Sequence, residues 1–227
     1  MYFSLTPKSS KEHLFNRERE LSKLNEFSKT GRIIVITGMR RIGKTSLLKV
    51  FLKQMKDQGH STIFIDCRSY EKINKFDRTT FDKKIITELE KVLQRNRSIL
   101  KMFTNVNLGG VELNFEKLQK DRDLLTFLEL INKAMEKKGS KLFMAFDEAQ
   151  ILRFYGRGGK DLLNLMAHIY DSLEHIVIML TGSEVGVLHD FLDLENADSP
   201  LFGRYTHQVL LERFQRSESI KFLIQGF

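Results

Sequence analysis

The chain lacks the features that mark secreted, membrane and zinc-binding proteins. A single cysteine, Cys67, excludes an internal disulfide. The six histidines are scattered without the spacing of metal ligands, so no zinc site is indicated. No apolar run approaches the roughly eighteen residues that a membrane span needs. The opening stretch MYFSLTPKSSKEHLF also has no apolar signal core. We therefore expect a cytoplasmic protein with no membrane contact.

Acidic residues are scarce only in the first quarter of the chain. Residues 1–60 hold 13 Lys and Arg against 5 Asp and Glu, whereas residues 61–227 hold 24 of each. The whole net charge of +8 therefore lies beside one short glycine-containing stretch. This position suits a polyphosphate pocket at least as well as a DNA surface.

Short apolar runs alternate with amphipathic segments along the chain. We predict strands at 32–37, 62–66, 141–147, 175–181 and 206–211. Helices are predicted from Lys44 onward and at 79–100, 121–138 and 160–173. Two alternating arms around Gly109-Gly110 predict a β-hairpin insertion at about 105–115. The pattern is that of a three-layer α/β fold with a mostly parallel five-stranded sheet.

The stretch GMRRIGKTSLL matches G-x-x-x-x-G-K-[ST], the P-loop pattern, and lies between a predicted strand and a predicted helix. Glycines let successive backbone N–H groups turn toward phosphate oxygens, and the helix N-terminus adds its dipole. Lys44 would neutralise the phosphates and Thr45 would bind Mg²⁺. The expected nucleotide-binding residues are Gly38, Met39, Arg40, Arg41, Ile42, Gly43, Lys44, Thr45 and Ser46. The side chains of Arg40 and Arg41 occupy variable positions and could face solvent, a partner or DNA.

The strand of KLFMAFDEAQ ends in Asp147 and Glu148, at the sheet edge where α/β proteins place ligands. Asp147 would hold Mg²⁺ and Glu148 would activate the attacking water. A carboxylate pair seen alone is often only a helix N-terminus, but the upstream P-loop favours an ATPase with its own catalytic base. A third strand ends in Thr181-Gly182-Ser183, where Ser183 or Thr181 would sense the γ-phosphate. The same three residues also suit a plain turn.

Arg204 lies in PLFGRYT, just before the last predicted strand. An arginine there could stabilise transition-state charge as a finger, within its own chain or from a neighbouring one. A surface arginine is the alternative.

Four landmarks resemble the archaeal branch of the STAND P-loop ATPases, which are relatives of AAA+ proteins. They are HLFNREREL at 13–21, GMRRIGKTSL, the strand ending in DEAQ, and TGS followed by PLFGR. Together they span nearly the whole chain. An amphipathic helix with Leu14, Leu21 and Leu24 packed on the sheet also explains HLFNREREL, and both interpretations can hold.

The resemblance implies further expectations. Arg17 would lie near the adenine, Gln150 would sit beside the catalytic Glu148, and Arg204 would be the family's GR-motif arginine. The core strands, numbered along the chain, would take the order 5-1-4-3-2. The family continues into helical and winged-helix-like regions. We therefore expect residues 1–211 to form the ATPase domain and 212–227 to begin a truncated helical region.

These features predict an enzyme that binds Mg-ATP and hydrolyses it as a conformational switch, with ATP and ADP as its ligands. A homo-oligomer or a protein partner would be contacted through the C-terminal region. One alternative is a nucleotide-binding module with little turnover. The other is a DNA-dependent ATPase, suggested by the basic first quarter and by Arg153, Arg157 and Lys160 in the loop RFYGRGGK. A helicase would need two RecA-like lobes, and this chain holds one P-loop.

Overall fold

The apolar runs of the sequence form one central sheet in a computed structural model that describes residues 6–72, 75–95, 107–108, 111–112, 124–156 and 158–226. The strands in chain order are β1 (Ile33–Gly38), β2 (Ser61–Asp66), β3 (Glu71–Lys72), β4 (Lys75–Phe76), β5 (Asn107–Leu108), β6 (Val111–Glu112), β7 (Leu142–Asp147), β8 (Ile176–Gly182) and β9 (His207–Leu211). The five long strands lie within one residue of their predicted positions.

The central sheet has the order β2-β7-β8-β1-β9, and every neighbouring pair is parallel. Counting only these five strands along the chain gives 2-3-4-1-5, which confirms the predicted order. Because all five run the same way, their C-terminal ends share one edge of the sheet, which we call the carboxyl edge. The opposite edge, where the strands begin, is the amino edge.

Helices cover both faces of this sheet. They are α1 (Glu18–Thr30), α2 (Lys44–Asp57), α3 (Arg78–Arg95), α4 (Leu124–Lys138), α5 (Lys160–Ser172), α6 (Val185–Leu192) and α7 (Arg216–Gly226), with 3-10 helices at Lys11–His13, Cys67–Tyr70 and Ala149–Phe154. One core cluster joins α1 and α2 to the sheet, and a second joins α3, α4, α5 and α6 to its other face. This confirms the three-layer fold.

Burial explains why the strands read as continuous apolar runs. All residues of β7 and β8 are buried, because both faces of these central strands are covered by helices. The edge strand β9 instead alternates, with Val209 and Leu211 buried and Leu210 exposed. Helix α1 packs Leu21 and Leu24 into the core, as its amphipathic pattern predicted.

The hairpin insertion is confirmed in its described part. Strands β5 and β6 are antiparallel, and Leu108 pairs with Val111, so two residues connect them. The rest of the predicted 105–115 segment lies outside the described residues. A second small antiparallel pair, β3 with β4, was not predicted. Within the described ranges, no helix is both long and apolar enough to cross a membrane.

Candidate nucleotide-binding site

The P-loop joins the end of β1 to the start of α2 at the carboxyl edge, and its glycines are required by geometry. Gly38 has φ +146°, and a Cβ there would lie 2.6 Å from the backbone oxygen of Leu211. Gly43 has φ +105° and forms the N-cap of α2. Arg41 also adopts a left-handed backbone, with φ 64°, although it is not glycine. Arg40 and Arg41 are exposed, so only their backbone belongs to the loop.

Lys44 is the first residue of α2 and its side chain folds back over the loop. Its Nζ donates to the carbonyl oxygens of Gly38 and Met39, both at 2.9 Å, and the residue is 5% exposed. Burial lowers the pKa of the Lys44 ammonium, while the charges of Glu148 and Asp147 oppose this shift. The lysine is therefore a preorganised cation in the middle of the predicted phosphate cradle.

Asp147, the last residue of β7, is almost completely buried at 1% exposure. Its carboxylate accepts a hydrogen bond of 2.9 Å from the Thr45 hydroxyl and another from the Thr181 hydroxyl. Burial raises the pKa of the Asp147 carboxyl despite these two hydrogen bonds. The structure thus brings together the two predicted Mg²⁺ ligands, Thr45 and Asp147.

Glu148 follows in a left-handed conformation, with φ 54° and ψ 50°. A non-glycine residue pays about 1 kcal/mol or more for this conformation, and such strain concentrates at functional sites. The Glu148 Oε2 accepts hydrogen bonds from Gln150 Nε2 at 2.8 Å and from the Ser183 hydroxyl at 2.7 Å. Burial raises the pKa of Glu148, but these hydrogen bonds and the charge of Lys44 bring the net pKa below its ordinary value.

Thr181 and Ser183 do not share one role. Thr181 is fully buried, donates to Asp147 and accepts from the backbone N–H of Glu148 at 3.2 Å. Ser183 is half-buried and donates to Glu148 through both its hydroxyl and its backbone N–H. Gly182 between them approaches Gln150 so closely that an added Cβ would lie 3.1 Å from Gln150 Oε1. The turn of TGS and the predicted polar contacts therefore occur together.

Arg17 lies behind the P-loop rather than in an open pocket. It is 6% exposed, and its guanidinium donates to the backbone oxygens of Ile42 at 3.4 Å and Glu212 at 2.9 Å. It also pairs with Glu20 at 2.8 Å and stacks over the Phe214 ring at 4.5 Å. The nearness to adenine that the resemblance implied stays a prediction.

Arg204 is not brought to the site of its own chain. It bonds to the carboxylate of Asp171, near the end of α5, and precedes β9, so it lies at the amino edge. Strands of six or seven residues separate the two edges by about 20 Å. Because a parallel strand begins at the edge opposite the P-loop, Arg204 lies far from the site of its own chain, and its role as a finger, within its own chain or from a neighbouring one, stays a prediction.

The loop predicted as a DNA contact is partly engaged in the fold. Arg153 stacks on Phe154 at 4.5 Å and lies 4.0 Å from Glu184. Lys160 begins α5 and is exposed, and Arg157 lies outside the described residues. Among the described residues, Lys160 therefore has no close carboxylate partner.

Two polar pairs at the carboxyl edge were not predicted from the sequence. Asp66 ends β2 directly beside Asp147 in the strand register, and it forms a two-point ion pair with Arg68 at 2.7 and 2.9 Å. Farther along the edge, the Tyr155 hydroxyl donates to Asp82 at 2.8 Å. A terminal Asp on the predicted strand TIFID was the available signal for the first; nothing local marked the second, since its partners are 73 residues apart.

Comparison with known proteins matches this geometry to a known family. The family model described as an ATPase domain predominantly from Archaea matches residues 14–227. A solved Walker-type ATPase of Pyrococcus abyssi is 40% identical with a TM-score of 0.78; the match covers 100% of this chain and 62% of that one.

Two more distant proteins are similar, one in sequence and one in fold. An uncharacterized ATP-binding protein of Methanocaldococcus jannaschii is 28% identical over 180 residues, which is 74% of this chain and 50% of that protein. Cdc6p of Pyrobaculum aerophilum, at 18% identity and a TM-score of 0.56 over 96% of this chain and 51% of its own, shares the fold. The chain thus spans about half to three-fifths of the length of these relatives. The chain belongs to the archaeal family of P-loop ATPase domains, as its motifs predicted.

Proposed function

We propose that this ATP-binding domain hydrolyses ATP with Mg²⁺ and uses the bound nucleotide as a conformational switch, as the resemblance to STAND ATPases implied. The observation that carries the proposal is the held carboxylate of Glu148. Its Oε2 is oriented by Ser183 and Gln150, beside a buried Asp147 that faces Thr45. A domain that only bound nucleotide would need the P-loop but not this second, strained carboxylate.

The P-loop residues Gly38–Ser46 would hold the phosphates through backbone N–H groups and the N-terminus of α2. Lys44 would exchange its two carbonyl partners for phosphate oxygens, since a cation gains more from an anion than from a neutral carbonyl. The buried position of Lys44 strengthens this attraction because water screens it little.

Mg²⁺ fits the donors that are present. In the described part of the chain, no group of three or more His, Cys, Asp or Glu could hold a metal without other ligands. Mg²⁺ is commonly bound by one or two protein oxygens together with phosphates and water, and the Thr45 hydroxyl and the Asp147 carboxylate supply such oxygens. When bound, the ion would neutralise charge on the phosphates.

Glu148 is the proposed general base. Its lowered pKa keeps it ionised at neutral pH, so it can accept a proton from water. As that proton moves to Glu148, the water oxygen bonds to the γ-phosphorus and the bond to the bridging oxygen breaks, giving ADP and phosphate. Ser183 and Gln150 fix the carboxylate in place, and Ser183 would also sense the γ-phosphate.

Arg204 would act on the site of a neighbouring copy, because its own site lies at the opposite edge. A mixture of Lys44→Ala and Arg204→Ala chains tests this directly. Each variant alone should hydrolyse ATP poorly, and mixing should restore part of the activity because some interfaces then combine an intact P-loop with an intact arginine. No recovery at any protein concentration would remove Arg204 from the mechanism.

The switch is supported by contacts that run from the P-loop to the last helix. Arg17 contacts the carbonyl of Ile42 and the ring of Phe214, and Phe214 packs against Phe222 of α7 at 6.1 Å. We propose residues 1–211 as the ATPase domain and 212–227 as a C-terminal helical segment. Exposed apolar side chains suit that region to a partner or a second copy: Ile220, Leu223 and Ile224.

The proposal is tested by measuring nucleotide binding and phosphate release on the same protein. We expect saturable ATP binding and steady phosphate release that stops when EDTA removes Mg²⁺. Tight ATP binding with no phosphate release in Mg²⁺, either alone or with excess duplex DNA, would instead identify a nucleotide-binding module. Release that begins only with DNA would identify the DNA-dependent alternative.

A further inference from the structure

The amino edge of the sheet carries two adjoining cavities that the proposed function does not use. Their volumes are about 620 and 170 Å³, and both are lined by His60, which connects α2 to β2. Among the described residues, neither lining contains an aspartate or a glutamate. Together the two linings contain five cationic side chains. With His60 they form what we call the amino-edge cluster, whose cations are Lys29, Lys56, Arg95, Lys138 and Lys141.

A simpler role for these cations is to neutralise the helices that end here. Four helices, α1 to α4, end near the two cavities, and each C-terminus carries about −0.5 elementary charge, or about −2 together. Five cations exceed that by about three charges. Two exposed acids in the last turns, Asp57 and Glu136, reduce the excess, but the balance stays positive. Dipole compensation therefore explains only part of the cluster.

Two of the lysines are held in place by backbone carbonyls. The Lys141 Nζ donates to the oxygens of Ser28 and Lys29 at 2.9 and 2.6 Å. The Lys138 Nζ donates to the oxygen of Gly59 at 3.2 Å. Because these side chains are already ordered, an anion would bind them at a small further cost in conformational entropy.

His60 adds a neutral donor between the two cavities. Its Nδ1 accepts the backbone N–H of Lys141 at 3.1 Å, so a neutral ring carries its proton on Nε2. Burial lowers the pKa of His60, and the charges of Lys141 and Lys138 lower it further. The neutral imidazole therefore lies beside two lysine charges.

We propose that the amino-edge cluster binds phosphate groups of a polyanion, supplied by a nucleic-acid backbone or by a free polyphosphate. Four of its five cations are lysines, which bind phosphate as point charges. The smaller cavity also presents the hydroxyl residues Ser61 and Thr62. Ammonium and hydroxyl donors around one cavity suit the oxygens of a phosphate group.

The test compares two variants of equal charge. One carries Lys29→Gln, Lys56→Gln and Arg95→Gln, all exposed members of the cluster. The other carries Lys23→Gln, Lys133→Gln and Lys221→Gln, exposed cations that line neither cavity. Binding of a labelled DNA duplex and of inorganic tripolyphosphate is measured with saturating ADP over a range of salt. Any contribution of the P-loop is the same in both variants, and thermal melting verifies that both fold.

We expect the cluster variant to bind at least tenfold more weakly, and the control variant within twofold of the parent chain. The salt dependence of DNA binding should fall by up to about three phosphate contacts in the cluster variant, since each neutralised phosphate adds about 0.9 to the slope. Tripolyphosphate that displaces DNA would identify free phosphate as sufficient, and DNA binding without tripolyphosphate binding would identify the backbone. Equal losses in both variants, preference for a polyglutamate peptide, or no binding of either phosphate probe would overturn the proposal.

Discussion

The two edges of the sheet use charge in opposite ways. At the carboxyl edge, Asp147, Lys44 and Thr181 are buried and each is hydrogen-bonded, and Glu148 has a strained backbone. At the amino edge, Lys29, Lys56 and the other cationic side chains are mostly exposed and lie beside helix C-termini. The difference shows where the fold contains features that are costly to its stability. Buried polar groups are costly unless paired, so their concentration at one edge indicates chemistry there.

The largest expected effect comes from removing the buried cation of the carboxyl edge. Lys44→Ala should weaken ATP binding and lower turnover by about 10³-fold, because a preorganised charge of this kind supplies about 3–4 kcal/mol. Lys53→Ala, an exposed lysine on the same helix, is the matched control and should behave as the parent chain. Comparable losses in both variants would mean that the helix surface, and not the buried cation, sets binding.

The next effect concerns stability. Arg17→Met should lower the free energy of unfolding by about 2–3 kcal/mol, because it leaves the carbonyls of Ile42 and Glu212 and the carboxylate of Glu20 without their donor. Arg19→Met, at an exposed neighbouring position, should change it by less than about 0.5 kcal/mol. Urea unfolding monitored by circular dichroism measures both. If Arg17→Met instead left stability unchanged and altered only nucleotide affinity, a position near the adenine would be favoured over a structural role for Arg17.

Much of this was predictable from the sequence because the responsible signals are local. The strands β7 and β8 are buried on both faces and therefore appear in the sequence as unbroken apolar runs. The P-loop spacing marks Gly38 and Lys44, and Asp147 lies at the end of an apolar strand. What could not be predicted is which hydroxyl meets which carboxylate. Thr181 and Ser183 are two residues apart in the sequence and differ only in where the turn at Gly182 directs them.

Arg204 teaches a different lesson. Its place just before a parallel strand already put it at the amino edge. The predicted role as an arginine finger rested on the motif alone. The pairing of Tyr155 with Asp82 had no such signal, since packing of α3 against a distant loop decides it.

A smaller effect is expected for the residue that orients the proposed base. Ser183→Ala should lower kcat about tenfold with little change in KM, because Glu148 would keep Gln150 but lose its hydrogen bond of 2.7 Å. Ser183→Thr keeps a hydroxyl and should recover most of the rate. A rise in KM at unchanged kcat would place Ser183 in ground-state binding instead.

The smallest effect should come from the amino edge. The Lys29→Gln, Lys56→Gln, Arg95→Gln variant should hydrolyse ATP within twofold of the parent rate in the absence of a polyanion. The two edges are about 20 Å apart, well beyond the screening length of about 8 Å at physiological salt. Steady-state phosphate release checks this. A tenfold loss would show that the two edges are coupled and would contradict separate roles for them.

The most direct measurement compares Glu148→Gln with the parent chain for ATP affinity and for phosphate release in Mg²⁺. Glutamine fills the same volume and keeps hydrogen-bonding capacity, but it cannot accept the proton of the attacking water. We predict unchanged ATP affinity within about threefold and a loss of turnover of about 10²–10⁴-fold. Undiminished phosphate release with unchanged affinity would contradict the assignment of Glu148 as the catalytic base.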